Sequence, residues 1–277
     1  MRAGAAPSTR AQVRATLASL GVAPTKRWGQ SFLTDPFVAD AEAALVELPP
    51  GRPVLEIGGG LGILTEALLR RGLGPITVVE KDARLAAYLA TTFVDRVQVR
   101  AGDALEIDLP DAECVVGNLP YAVATPILLR LFARRVPRVV ALLQQEVAAR
   151  LAAGPDSKEY GRLAIYARLF GTVELYRSVG AAAFEPRPEV DSQIVVHTAR
   201  AGLLPVPSIP LFERAVRELF SSRRKQLGNL LPRLARAGLS AGELASRAGW
   251  PTDWEHRRPE NLPPEAYFAL ARVLSAP

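Results

Sequence analysis

The segment Cys114-Val115-Val116-Gly117-Asn118-Leu119-Pro120-Tyr121 decides how the rest of the chain is interpreted. It begins as a short apolar run, which ends at a glycine followed by a polar tetrapeptide containing proline. This pattern predicts a buried parallel strand that ends in a loop, and open α/β sheets bind ligands at such carboxyl ends. The tetrapeptide therefore lies where a functional site is expected, although a plain strand-to-helix turn has the same pattern.

The tetrapeptide also offers two hydrogen-bond acceptors beside an aromatic ring. The acceptors are the amide oxygen of Asn118 and the carbonyl oxygen of Leu119. Pro120 restricts the residue before it, so both oxygens can point at one partner, and Tyr121 adds a flat face. Two acceptors next to an aromatic plane suit the exocyclic amino group of a planar base.

The surrounding sequence alternates strands and helices at regular intervals, which predicts an α/β fold with a doubly wound parallel sheet. Predicted strands cover residues 54–57, 76–79, 97–100, 114–116 and 139–143, and predicted helices cover residues 63–71, 82–92, 125–132 and 146–153. Glu80 follows the second strand, about 20 residues beyond a glycine loop, where a carboxylate can accept both hydroxyls of a ribose. Asp103 follows the third strand.

The glycine loop favours one cofactor over others. Its glycines at positions 58, 60 and 62 do not have the G-x-G-x-x-G spacing of dinucleotide sites, and Glu56 precedes them. A carboxylate would repel a pyrophosphate but would tolerate the cationic aminoacyl part of S-adenosylmethionine. The loop therefore favours S-adenosylmethionine, with Glu80 on its ribose and Asp103 accepting a hydrogen bond from its adenine amino group.

The segments outside this repeat are less decisive. Residues 9–20 predict a helix, and Asp35-Pro36 predicts the start of another that ends near residue 48. Between them, residues 26–33 mix two cations with two aromatic rings, which fits a nucleic-acid contact, a lid over a small ligand or simple anchoring. Residues 162–170 predict a helix and residues 173–176 and 192–197 predict strands, with an extended segment at 184–190 that presents Phe184.

The carboxyl-terminal part is predicted to be helical. Residues 203–210 are a proline-rich linker, and helices are predicted at 211–220, 223–236, from 241, and at 264–274. The second of these helices collects Arg223, Arg224, Lys225, Arg233 and Arg236, which fits either RNA contact or a solvated face. The predicted division is an extension at 1–25, an α/β domain at 26–202 and a helical domain at 203–277.

Composition bounds the function further. A net charge of +6 and a pI near 9.8 fit a polyanionic partner or an ordinary solvated surface. Cys114 is the single cysteine, so no disulfide forms within the chain, and His197 and His256 are too far apart in sequence to indicate a metal cluster. The amino terminus lacks the apolar core of a secretory signal. A cytoplasmic protein without metal or membrane span is expected.

Several segments together resemble the ribosomal RNA adenine dimethyltransferases, most closely the bacterial KsgA type, which dimethylates two adjacent adenosines near the 3′ end of small-subunit rRNA. The segments are Glu56-Ile-Gly-Gly-Gly-Leu-Gly62, Val79-Glu80-Lys81, Gly102-Asp103-Ala104, Asn118-Leu-Pro-Tyr121 and Phe184-x-Pro-x-Pro-x-Val190-x-Ser192. The resemblance implies a seven-stranded, Rossmann-like class I methyltransferase domain followed by a small helical domain. It also implies S-adenosylmethionine as methyl donor, 16S rRNA in the immature small subunit as partner, a monomer, and a role in late subunit biogenesis.

The resemblance further implies which residues form the site. Catalysis falls to Asn118, Leu119, Pro120 and Tyr121, with Phe184 stacking on the other face of the base. The implied cofactor contacts are Gln30, Ser31, Leu33, Glu56, Gly58, Gly60, Glu80, Lys81, Asp103, Ala104 and Asn118, and the implied RNA contacts are Arg223, Arg224 and Lys225. Three positions depart from the family pattern, which usually has Asn at Ser31, Pro at Gly59 and Asn at Ala122.

Three other functions fit parts of the pattern. A DNA adenine methyltransferase uses similar acceptors, and an antibiotic-resistance methyltransferase acts on large-subunit rRNA. The Asn-Leu-Pro-Tyr and Gly154-Pro-Asp-Ser-Lys-Glu-Tyr-Gly161 segments weigh against the second of these. A ribosome-assembly or transcription factor without catalytic activity would need only the fold. The site residues Glu80, Asp103, Asn118 and Tyr121 are all present, which argues against a loss of activity.

Overall fold

The computed structural model describes residues 6–24, 30–235 and 239–276. The strands are β1 (Phe32–Leu33), β2 (Val54–Ile57), β3 (Ile76–Glu80), β4 (Gln98–Ala101), β5 (Cys114–Asn118), β6 (Arg138–Gln144), β7 (Gly171–Val179), β8 (Phe184–Glu185) and β9 (Ser192–Ala199). The α-helices are α1 (Arg10–Ser19), α2 (Pro36–Ala44), α3 (Ile63–Arg70), α4 (Ala83–Thr92), α5 (Ala124–Ala133), α6 (Gln145–Ala152), α7 (Arg162–Phe170), α8 (Ile209–Phe220), α9 (Leu227–Leu230), α10 (Ala241–Arg247) and α11 (Pro264–Ser275).

Seven strands form one sheet in the order β4-β3-β2-β5-β6-β9-β7. The pairs β2·β3, β3·β4, β2·β5 and β5·β6 are parallel, and β9 runs antiparallel to β6. The chain passes outward from β2 through β3 to β4 and then returns to the other side of β2 as β5. This reversal of strand order creates a crevice at the carboxyl ends of β2 and β5, the usual ligand position in such sheets. The predicted Rossmann-like, seven-stranded fold is confirmed.

Gly117 lets β5 lie against β2 at this crevice. The apolar residues before it are completely buried, as a strand covered on both faces requires. A Cβ atom at position 117 would lie 2.3 Å from the carbonyl oxygen of Ile57 on β2. Only glycine therefore allows the two strand ends to approach as closely as they do.

Local capping signals place the helices of the α/β part close to their predicted bounds. Asp35 accepts a hydrogen bond from the Phe37 amide at the start of α2, and Asp82 accepts one from the Arg84 amide at the start of α4. Helix α3 begins after Gly62, whose φ of +86° is readily adopted by glycine. In α1, Thr9 and Gln12 form a capping box.

Two predictions for the carboxyl-terminal part are wrong. Helix α8 begins at Ile209, inside the predicted linker, because Ser208 caps it and Pro210 is tolerated in a first turn. The predicted helix at 223–236 is interrupted, and Arg223, Arg224 and Lys225 lie in the turn after α8. The chain then forms the short α9 and a 3₁₀ helix at Leu231–Leu234, because Pro232 has no amide hydrogen for a continuing α-helix. Arg236 lies outside the described residues.

The contacts divide the chain into two compact units. One unit contains the described residues up to Ala148 together with Val173–Ala199, and the other contains Ala149–Thr172 with the described residues from Arg200 onward. The core of the first unit includes Val54, Val78, Val116 and Val140 from adjacent strands. In the second unit α7, α8 and α11 pack through aromatic side chains, including Phe212 and Phe268, whose ring centroids are 5.8 Å apart. The domain boundaries at residues 25 and 202 stay predictions.

Within the described ranges, no helix is long and apolar enough to cross a membrane.

Candidate active site

A cleft opens in the first unit at the carboxyl ends of β2, β3 and β5. Glu80, Asp103 and Asn118, which follow or end three different strands, all line it. The other predicted site residues in its lining are Gln30, Ser31, Leu33, Glu56, Gly58, Gly60, Lys81, Ala104, Leu119, Pro120 and Tyr121. Parallel strands end at the same edge of a sheet, so these residues, spread over 92 positions of sequence, share one cavity.

The glycine loop forms one wall of the cleft through its exposed backbone. Gly58 and Gly60 have φ values of +80° and +53°, and a Cβ atom on Gly60 would lie 3.3 Å from the Phe32 ring. Gly59 has no room for any side chain, because a Cβ atom there would lie 2.4 Å from Val78 Cγ1. Gly59 is therefore packed against the core, while Gly58 and Gly60 adopt backbone angles that favour glycine and line the cleft.

The Glu80 carboxylate is fixed by two backbone amides. Gly60 N donates to Oε2 and Asp82 N donates to Oε1, each at 2.9 Å. Burial raises the pKa of Glu80, and the two amide hydrogen bonds counteract this effect. Because a carboxylate has about four acceptor sites, both oxygens keep capacity for a further hydrogen bond from a ligand in the cleft.

Asp103 is held as an ionised acid by a lysine that the sequence analysis did not pair with it. Lys81 Nζ donates to Asp103 Oδ2 at 2.6 Å, and Leu105 N donates to Oδ1 at 2.9 Å. The Lys81 hydrogen bond is the main reason why the pKa of Asp103 lies below its ordinary value. The loop that follows Asp103 is anchored by Arg130 of α5, which donates to the carbonyl oxygens of Ala104 and Ile107 at 2.6 and 2.8 Å.

Two buried glutamates lie behind the glycine loop. Glu56 accepts a hydrogen bond from Thr65 Oγ1 at 2.7 Å, and burial, reinforced by the nearby Glu80, raises its pKa to about 8. Glu42 on α2 is also completely buried, its pKa is raised to about 8 by burial and by Glu56, and neither of its oxygens has a hydrogen-bond partner among the described residues. At neutral pH the protonated forms are therefore favoured, whereas the sequence analysis treated Glu56 as a carboxylate.

Glu42 is not among the site residues predicted from the sequence, although the sequence contains a signal for it. Val38, Ala39, Ala43 and Val46 are all buried, so they mark the apolar stripe of α2. Position 42 lies four residues after Val38 and therefore falls on this stripe. An acidic residue on an apolar stripe is itself the warning sign of a buried titratable group.

The tetrapeptide places Asn118 and Tyr121 in the lining of the same cleft. Asn118 is half-buried, and its side-chain amide makes no hydrogen bond to a described residue. Tyr121 OH shares a 2.7 Å hydrogen bond with Ser192 Oγ on β9, and Ser192 is completely buried. The aromatic ring is therefore fixed, while the Asn118 amide stays available to a ligand.

Phe184 does not line the cleft. It is completely buried and belongs to the hydrophobic core that contains Leu33 and Val179. Strand β8, which contains it, pairs antiparallel with β1, and Ser31 Oγ donates to the Pro186 carbonyl at 2.6 Å. The Ser31 hydroxyl hydrogen is thus directed to the backbone. Stacking of Phe184 on a base stays a prediction that requires this ring to become accessible.

The predicted RNA contacts lie in the second unit and differ from one another. Arg223 forms an ion pair with Glu260 and donates to the Lys158 carbonyl at 2.8 Å. Arg224 and Lys225 are exposed, and neither side chain has a hydrogen-bond or ion-pair partner among residues 6–24, 30–235 and 239–276. Lys26, Arg27, Trp28 and Gly29 lie outside the described residues.

In the described part of the chain no three His, Cys, Asp or Glu side chains are grouped to hold a metal ion. The expectation of a protein without metal stays a prediction.

Comparisons with known proteins give matches over most of the chain. A family model described as ribosomal RNA adenine dimethylase matches residues 23–241. The chain is 38% identical over 266 residues to the probable ribosomal RNA small subunit methyltransferase A of Natronomonas pharaonis, covering 94% of this chain and 96% of that protein. It is 36% identical over 267 residues to the ribosomal RNA small subunit methyltransferase A of Vibrio parahaemolyticus, covering 92% of this chain and 96% of the relative.

Solved structures share the fold. A dimethyladenosine transferase from Plasmodium falciparum superposes with a TM-score of 0.75 at 23% identity, covering 86% of this chain and 95% of the other. The 23S rRNA methyltransferase ErmE superposes with a TM-score of 0.67 at 25% identity, covering 88% of this chain and all of the other.

Proposed function

The chain belongs to the ribosomal RNA adenine dimethylase family, and from that premise we propose that it dimethylates the 6-amino groups of two adjacent adenosines near the 3′ end of 16S rRNA. It is an S-adenosylmethionine-dependent adenine dimethyltransferase that acts on small-subunit rRNA. The observation that supports the finer proposal is the meeting of Glu80, Asp103 and Asn118 in one cleft. We further propose that it acts as a cytoplasmic monomer on immature small subunits.

The cleft residues fit S-adenosylmethionine, which supplies an electrophilic methyl group when bound. Glu80 keeps acceptor capacity on both oxygens after its bonds to Gly60 N and Asp82 N, which suits the two hydroxyls of a ribose. Asp103 lies on the neighbouring strand end, where it would accept from the adenine amino group. The peptide groups of Gly58 and Gly60 would face the aminoacyl part, for which Gln30, Ser31 and Leu33 form the facing wall.

Glu56 would support a cationic ligand by changing its protonation state. Its burial favours the neutral acid, so a positive charge placed in the cleft would favour loss of this proton. Binding of a cationic ligand near Glu56 would then be stronger at higher pH, because the carboxylate must form.

Asn118 would orient the substrate amine. The lone pair of an adenine amino group is delocalised into the ring, so the amine is a poor nucleophile. If the Asn118 amide oxygen and the Leu119 carbonyl each accept one of its hydrogens, the lone pair turns away from them and the positive charge developing on nitrogen is stabilised. The free side-chain amide of Asn118 supports this role. No general base is required, since the methylated ammonium is acidic enough to lose its proton.

The target base must leave the RNA stack to reach Asn118. Tyr121 offers one face for it, with its ring held in place by the hydrogen bond to Ser192, and Phe184 would cover the other face after a local opening. Each such stack is worth about 1 to 3 kcal/mol. In the second unit, Arg223, Arg224 and Lys225 would contact phosphates, with Arg224 and Lys225 the more exposed.

Transfer of labelled methyl groups tests the proposal. Purified protein and labelled S-adenosylmethionine would be incubated with small subunits lacking this modification, with large subunits and with duplex DNA. Label in adenosines near the 3′ end of the small-subunit rRNA, and in neither other substrate, is the expected result. Label in duplex DNA or in large-subunit rRNA would refute the proposed substrate, and no transfer to any of them would point to an assembly factor without activity.

A further inference from the structure

A second groove lies in the first unit, beside the residues that follow β1 and precede β8. It is lined by residues that follow β1, among them Thr34 and Phe37, and by residues at and after the end of β7, among them Arg177 and Ala183. Phe32 and Leu33 line the cleft, and the next residue, Thr34, lines the groove. The two cavities are therefore neighbours within the first unit.

Phe37 is the unusual residue of this groove. It is the second residue of α2, and 73% of its surface is exposed. The other described large apolar residues of the first unit that are exposed are aliphatic, apart from Tyr176 on the edge strand β7. A Phe ring with this exposure contributes little to the packing of the core, but its flat apolar face is accessible to a planar partner.

The groove also contains a guanidinium group. Arg177 lines the groove, and no hydrogen bond or ion pair joins its side chain to another residue in the described ranges. Arg10 of α1 donates to the carbonyl oxygen of Ala182, which also lines the groove. The acidic residue of the lining is Asp35, whose Oδ1 accepts from the Phe37 amide. Arg177 is therefore an available guanidinium group in the lining, whereas the Asp35 carboxylate already accepts a hydrogen bond, so the groove can bind a phosphate at Arg177.

The backbone between groove and cleft is firmly held. Thr34 N and Thr34 Oγ1 both donate to the Ala183 carbonyl, at 2.8 and 3.0 Å. Arg14 binds Glu185 through two hydrogen bonds of 2.8 and 3.0 Å. A strand of RNA whose base enters the cleft would therefore meet a firmly held backbone that continues into the lining of the Phe37 groove.

We infer that the groove binds an unpaired nucleotide flanking the target adenosines, with its base stacked on Phe37 and a phosphate on Arg177. This inference rests on the proposed function and adds a second contact to it. An aromatic face beside a guanidinium group is the chemistry by which proteins hold single-stranded nucleic acid. A protein partner would need a larger apolar area than one ring provides.

Substitutions at Phe37 and Arg177 test the inference in the full-length protein. Phe37→Ala should raise the Kd and the KM for small subunits by at least about fivefold, the change that corresponds to a lost stack of about 1 kcal/mol. Phe37→Tyr should stay close to wild type because the aromatic face is kept. Arg177→Gln should lower the slope of log K against log salt by roughly 0.7, the value for one phosphate of a single strand.

Controls separate this contact from a general loss of structure. Val94→Ala removes an apolar side chain that is 60% exposed outside the groove and should leave Kd and KM unchanged. All variants should keep the wild-type affinity for S-adenosylmethionine and the wild-type unfolding midpoint. A Phe37→Ala variant with unchanged Kd and KM would overturn the inference, as would a Phe37→Tyr variant as weak as Phe37→Ala.

A photo-crosslink identifies the occupant. Phe37→p-benzoylphenylalanine should crosslink to rRNA close to the methylated adenosines, and a crosslink only to a ribosomal protein would overturn the assignment to RNA. The two proposals fail in different ways. Wild-type protein that neither binds nor methylates small subunits would refute both, whereas an active wild type with an unaffected Phe37→Ala variant would refute the groove alone.

Discussion

Replacement of Glu42 by methionine is expected to stabilise the protein and to weaken the dependence of its stability on pH. Glu42 is completely buried, its carboxylate oxygens have no hydrogen-bond partner among the described residues, and its pKa is raised to about 8 from the ordinary 4.5. Methionine has a similar volume and no polar atom to desolvate.

The magnitude follows from the difference between the folded and unfolded pKa values. In the unfolded chain Glu42 ionises near pH 4.5, whereas in the folded protein it stays protonated until about pH 8. The folded state therefore binds more protons in this range, and stability falls as pH rises from about 4.5 to about 8. At pH 7 the solution is about 2.5 pH units above the pKa of Glu42 in the unfolded chain, and each unit corresponds to about 1.36 kcal/mol. The free energy of unfolding is therefore lower at pH 7 than at low pH by about 3 kcal/mol.

The assay is the thermal unfolding midpoint between pH 5.5 and 9. Glu42→Met should raise the midpoint most at pH 8 to 9 and flatten its decline, without abolishing it, because Glu56 titrates near the same pH. Glu106→Met, at an exposed position of the same unit, is the matched control and should leave the profile unchanged. A Glu42→Met variant that is less stable than wild type at pH 8, or that declines as steeply, would refute the reasoning.

Four further predictions concern the cleft, the sheet and the basic turn. Asn118→Ala should lower kcat for methyl transfer by about 10²- to 10³-fold, because a positioned acceptor acts in the transition state. The Kd for S-adenosylmethionine should change little, and a variant with wild-type activity would argue against Asn118 as the group that orients the amine. Glu80→Gln should raise that Kd by about 10- to 100-fold, as expected for lost hydrogen bonds to a charged acceptor, and calorimetry showing wild-type affinity would remove Glu80 from the ribose site. Gly117→Ala should lower the free energy of unfolding by at least about 1 to 3 kcal/mol, because its Cβ atom would lie 2.3 Å from the Ile57 carbonyl oxygen. The control variant Gly154→Ala, whose Cβ atom would meet no atom within 4 Å, should unfold like wild type. Arg224→Gln with Lys225→Gln should lower the log–log slope of RNA binding against salt by roughly 1.4 to 1.8, and an unchanged slope would show that this turn is only a solvated surface. Arg223→Gln should lower the slope by roughly a further 0.7 to 0.9 and should also lower the unfolding midpoint, because it breaks the ion pair with Glu260.

The order of strands and helices was largely readable from sequence because it depends on local chemistry. Asp35, Asp82 and Gly62 start helices through bonds and backbone angles within a few residues, and the apolar runs of β2, β5 and β6 are buried on both faces. The positions of Glu80, Asp103 and Asn118 at one edge also followed, since parallel strands bring their carboxyl ends together. The same local reasoning failed at residues 223–236, where helical composition was overridden by Pro232 and by the contacts of Arg223 with Glu260 and the Lys158 carbonyl.

The sheet, the edge that carries the cleft and the family can all be predicted from the sequence, because they depend on periodicity, helix caps and short motifs. Three-dimensional packing, in contrast, sets which side chains are paired, buried or free. Lys81 meets Asp103 22 residues away, Tyr121 meets Ser192 71 residues away, and Ser31 meets Pro186 155 residues away. Tertiary packing likewise buried Phe184 and Glu42 while leaving Phe37 exposed. The physical reason is that pKa values, hydrogen-bond partners and exposure depend on distances through space, which the spacing of residues along a chain does not contain.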